Sequence, residues 1–167
     1  MGIRVIAAVL VAFCGAFYGL NSSEKLKKRV LVCTEADKVF RVFETMIRSS
    51  GTDIYSILAV LKRENFSALG FIERLSNEYS AESDFHSQWR QLLMNEPDIP
   101  QEEKGILLDF GDLLGTSDID GQLIGISAVK ALMLERFQRR SEEYHSKAKL
   151  YRSVGVLAGV MVGIMVI

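Results

Sequence analysis

The charged residues of this chain are segregated. Apart from Arg4, every one of them lies between Glu24 and Arg152, and both ends are apolar. From Val5 to Leu20 the sequence reads VIAAVLVAFCGAFYGL, sixteen residues without a charge; from Val154 to Ile167 it reads VGVLAGVMVGIMVI, fourteen more. As helices these runs cover roughly 24 and 21 Å, against a hydrocarbon core of about 30 Å. With Gly2 to Arg4 and Asn21 to Ser23 added, the first run is long enough to span a bilayer, Arg4 snorkelling to one interface. The second is a short or incomplete span that Tyr151 and Ser153 extend. The expected organisation is an N-terminal transmembrane helix over 1–22, a helical bundle domain over 23–152 and a hydrophobic membrane helix over 153–167.

Flanking charge orients both ends the same way. Lys25, Lys27, Lys28 and Arg29 follow the first run, and Lys147, Lys149 and Arg152 precede the second. The positive-inside rule puts these flanks, and the domain between them, in the cytoplasm. The rival reading of the N-terminus is a cleaved signal peptide, which would release a secreted helical binding module starting near Ala16. The runs also carry small residues at helical spacing. Gly155, Gly159 and Gly163 recur every fourth residue, and Gly15 and Gly19 lie beside Ala8, Ala12 and Ala16. Such a stripe lets two backbones approach closely in lipid. It fits the other span, a second copy in a homo-oligomer, or another protein equally well.

The middle of the chain reads as all-α, an up-and-down bundle of about six helices. Pro97 and Pro100 are its only prolines, and strand alternation is absent. Leu26, Val30, Cys33, Ala36, Phe40, Phe43 and Ile47 step by three and four, marking an amphipathic helix that continues from the first apolar run to about Ser49. Asp53 reads as the N-cap of a short helix through Lys62, Ser67 as the opener of the next, and Ser83 or Asp84 as that of a fourth. Pro100, Glu102 and Glu103 suit the start of a fifth helix that ends at Gly115. Ser117 with Asp120 reads as a capping box for the last, which turns Leu123, Ile126, Val129, Leu132 or Met133, and Phe137 inward.

Chemistry is sparse. The chain has no phosphate-binding G-x-x-x-x-G-K-[ST] string, no G-x-S-x-G and no H-E-x-x-H. Glu142 and His145 match half of a di-iron motif, but His86, the only other histidine, has Ser83 three residues before it rather than Glu. A metal oxidoreductase built on His145 is therefore disfavoured. Asp109 and Asp112 share a helical face, and capping or solvation accounts for such pairs. With 20 basic and 21 acidic residues the net charge is −1, which gives no drive toward nucleic acid. Two cysteines make no disulfide framework. The chain is expected to be neither an enzyme nor the holder of a metal or other cofactor.

Particular strings resemble the stage III sporulation protein AB family. LLDFG at 107–111 and LGTSD at 114–118, followed by Gln122 and Ile126, are similar to that family's FG..LG.SD...Q pattern. LYRSVGVLAG at 150–159 resembles its basic-aromatic lead-in to a glycine-rich terminal span, and FETMI at 43–47 resembles its LETxI string. Gly51-Thr52 fits too, although Asp53 and Tyr55 replace the two prolines that usually follow. The resemblance implies a fold like the cytoplasmic domains of the F-type platform protein of type II secretion. It also implies a scaffold in a channel complex between mother cell and forespore, in the mother-cell membrane. The implied partners are a secretion-type ATPase on a separate chain and other stage III sporulation channel proteins.

Overall fold

A computed structural model describes the backbone of residues 2–50, 53–80 and 84–166. Its side chains are described over 21–49, 53–80 and 84–150 except 148, with isolated positions beyond. Among the described residues there are six helices: α1 (Gly2–Ser50), α2 (Ile54–Leu61), α3 (Gly70–Glu78), α4 (Phe85–Met94), α5 (Gln101–Leu113) and α6 (Ile119–Val166). They form an all-α bundle, as the helical periodicity predicts. The chain divides into two compact units. One holds residues up to Val30 together with those from Arg139 onward; the other holds Leu31–Gln138.

The Leu31–Gln138 unit is built on aromatic side chains. Phe40, Phe43, Phe71, Trp89 and Phe110 are all buried. The Trp89 ring meets Phe71 edge-on at 5.1 Å between centroids and Phe110 at 5.6 Å, and Phe40 meets Phe110 at 4.4 Å. Successive helices α2 to α5 pack against one another. Trp89 Nε1 donates to the Leu107 carbonyl at 2.8 Å, so the indole keeps its hydrogen bond inside the core. Gly111, one turn further along α5, leaves the notch that admits the ring. A methyl group there would lie 2.3 Å from Trp89 Cδ1. His86 Nδ1 sits 3.0 Å from the Gly111 carbonyl. A carbonyl only accepts, so Nδ1 carries the proton.

Helix starts follow side-chain chemistry, with two corrections to the pattern expected from sequence. Asp53 caps α2 through Ser56 N at 2.8 Å, and Asp84 caps α4 through Ser87 N at 3.0 Å. At α6 the cap is Asp118, which accepts from Gly121 N at 3.0 Å, rather than Ser117 with Asp120. Ser67 does not open α3, which begins at Gly70 without a side-chain cap of its own. The buried Glu35 of α1 instead holds the segment that leads into it. Its carboxylate accepts from Ser67 N (3.0 Å), Ser67 Oγ (3.0 Å), Ala68 N (2.8 Å) and Leu69 N (2.9 Å). An anion facing the donor-rich start of a helix is the favourable arrangement. At the opposite polarity, the buried Lys104 donates to the Glu96 carbonyl at 2.7 Å, just past the end of α4. Glu103 lies in the first turn of α5, as the sequence suggests, and is fully buried there.

Gly111→Ala should destabilise the protein by about 2–4 kcal/mol, since the new methyl must displace the indole. Gly105→Ala in the same helix meets nothing within 4 Å and should stabilise it by about 0.5–1 kcal/mol. Urea unfolding of the two variants beside the parent measures both.

Candidate functional site

The FG..LG.SD...Q pattern resolves into the joint between α5 and α6. Phe110 and Leu114 are core, and Gly111 is the tryptophan notch. Gly115 has φ +72°, a left-handed conformation that glycine adopts without strain. The Gln122 side chain then ties the turn from both sides: Oε1 accepts from Gly115 N at 3.0 Å, and Nε2 donates to Ser117 O at 2.9 Å. Every described position of the pattern thus has a packing, turning or capping task, and none presents a nucleophile or an acid–base pair.

The basic flanks fall in one compact unit. On α1, Lys25, Lys27 and Arg29 are exposed and Lys28 is half-buried; on α6, Lys147 and Lys149 are exposed. Lys147 pairs with Glu143 at 2.9 Å, and Arg140 reaches the same carboxylate at 3.3 Å. The hydrogen bond from Lys147 holds the Glu143 carboxyl below its ordinary value. Leu26 and Ser23 are buried on the opposite side of this stretch of α1. Gly15, Gly19, Gly155, Gly159 and Gly163 lie on helical backbone, and their surroundings, like the side chain of Arg152, lie outside the described residues. Among the described residues no helix is long and apolar enough to cross a membrane.

A feature missing from the sequence reading is a groove of about 550 Å³ within the Leu31–Gln138 unit, between α1 and α6. Cys33, Ala131, Met133, Leu134 and Phe137 give it an apolar surface. Phe137, expected to face inward, is 36% exposed, and of Leu132 and Met133 it is Met133 that is buried. The inward position expected for Phe137 from its spacing is therefore not what the structure shows: the side chain lines the open groove. Beside the groove, Lys130 pairs with Glu44 at 2.6 Å, and Arg48 meets the same carboxylate at 3.2 Å. The Lys130 hydrogen bond lowers the pKa of Glu44, against the opposing effect of partial burial.

The acidic and histidine candidates are dispersed. Asp112 pairs with Arg90 at 2.5 Å, and Asp109, Glu142 and His145 are exposed. Among the described residues no group of three or more His, Cys, Asp or Glu is placed to hold a metal ion.

A family model described as stage III sporulation protein AB matches residues 4–167. The chain belongs to that family. No curated protein and no solved structure gives a significant match. Membership in the stage III sporulation protein AB family implies a role in sporulation, in association with other stage III proteins, and agrees with the resemblance carried by the 107–122 strings.

Two outcomes follow from this geometry. Replacing Glu35 by Ala leaves three backbone N–H groups at the start of α3 without their acceptor and should cost about 3 kcal/mol or more; hydrogen exchange at 67–69 should rise with it. Glu44, Asp53 and Asp84 have folded pKa values below their ordinary ones, the last two through the Ser56 and Ser87 hydrogen bonds. Their stabilisation is complete above the ordinary carboxylate range and is lost as pH falls through the folded values. Stability should therefore decline below pH 4.5, the ordinary glutamate value, and Glu44→Gln should flatten that decline in acid-unfolding curves.

Proposed function

We propose that this member of the stage III sporulation protein AB family is a membrane-anchored helical scaffold. It docks a secretion-type ATPase and neighbouring channel subunits in the mother-cell membrane that faces the forespore. One observation carries the reading: each apolar end is bordered on its bundle side by a basic cluster, and both clusters belong to one compact unit. Basic residues next to an apolar run are retained on the cytoplasmic side. The bundle between them is then cytoplasmic. α1 and α6 each run as helix from an apolar end into residues of the aromatic-cored unit, and the proposed mechanism is mechanical coupling along these two helices. Gly15 and Gly19 on α1, and Gly155, Gly159 and Gly163 on α6, supply close-packing faces for membrane partners. Motor chemistry falls to a separate chain, since the sequence holds no phosphate-binding loop.

The chain, expressed at full length, should pellet with membranes, resist carbonate extraction and retain an uncleaved N-terminus. A P-loop ATPase of the secretion class should co-purify from those membranes. Quantitative recovery in the soluble fraction, or a mature chain starting near Ala16, overturns the anchoring. Substituting Gly159 by Leu should leave the chain in the membrane while reducing recovery of its membrane partners.

A further inference from the structure

The two compact units have opposite charge. Leu31–Gln138 contains 10 basic and 18 acidic residues, a net of −8; the remainder contains 10 basic and 3 acidic residues, a net of +7. The near-neutral whole conceals this division. Within the basic unit, Lys25, Lys27, Arg29 and Lys149 are exposed. Of the three acids in this unit, the Glu143 carboxylate is engaged by Arg140 and Lys147, and the unit keeps its large positive excess. We propose that this basic unit is a collar that binds anionic phospholipid headgroups, and that lipid charge, not only apolar insertion, fixes how the protein is seated in its bilayer.

The proposal rests on the anchoring given under the preceding heading and adds the lipid class. Lipid is favoured over nucleic acid because both basic segments border an uncharged apolar run of at least fourteen residues, which puts their side chains at headgroup depth. A basic side chain at an anionic surface is worth on the order of fivefold in partitioning, and the effect fades within a Debye length. Repulsion of the acidic bundle by the same surface confines the attraction to the collar.

The test uses the full chain reconstituted into phosphatidylcholine bilayers carrying trace spin-labelled phosphatidylglycerol or phosphatidylcholine. The immobilised fraction of each label gives their relative association with the protein. Phosphatidylglycerol should be preferred by about fivefold or more at low salt, and the preference should approach one near 0.5 M salt. The combined variant K25Q/K27Q/R29Q/K149Q should lose most of the preference while remaining incorporated. The control K62Q/R63Q, exposed on the bundle, should keep it. Incorporation with equal association of both lipids, or a collar variant that retains the preference, overturns this inference alone. A chain that does not enter the bilayer overturns the anchoring as well.

Discussion

The seat of Trp89 on α5 is the contact on which the bundle depends. The largest side chain of the core enters where the partner helix has no side chain at all, at Gly111, and its one polar atom is satisfied by the Leu107 carbonyl a turn earlier. Those two conditions fix both the depth and the rotation of α4 against α5. Phe43, Phe71, Phe85 and Phe110 then close around the indole with centroid distances of 5.1 to 6.5 Å. The edge-on geometries at Phe43 and Phe71 are the favourable ones for aromatic quadrupoles. A short-helix bundle with few long apolar stripes gains most of its specificity from such a keyed contact.

Two buried charges among the described residues serve helix ends. Glu35 and Lys104 are each withdrawn from solvent, and each meets the terminal backbone groups of a helix other than its own. Both signs are correct for the helix dipole: a carboxylate at the start of α3 and an ammonium at the finish of α4. Neither group is left free for chemistry. The exposed charge, in turn, is sorted by unit, basic in one and acidic in the other.

Much of this was legible in the sequence because it is local. Six helices follow from the three-and-four spacing of apolar residues; Asp53 is legible as a cap, and the choice between Ser83 and Asp84 falls to Asp84. The FG..LG.SD...Q strings identify the family, and Gly115 marks the left-handed turn. What was not legible depends on distant partners. Nothing near Ser67 shows that Glu35, 32 residues earlier, supplies the cap. Nothing near Gly111 shows that an indole needs the space. Phe137 obeys the inward spacing, yet is exposed on the groove it lines. The choice of Asp118 over Ser117 turns on one residue of phase, which a capping pattern alone does not resolve.

The remote cap on α3 bears on how that helix is held. A nine-residue helix is marginal in isolation, and this one borrows its initiating acceptor from a segment more than thirty residues upstream. Its stability is therefore coupled to closing the loop that brings Glu35 of α1 against residues 67–69. The third helix is thus secured by tertiary contact as much as by its own sequence.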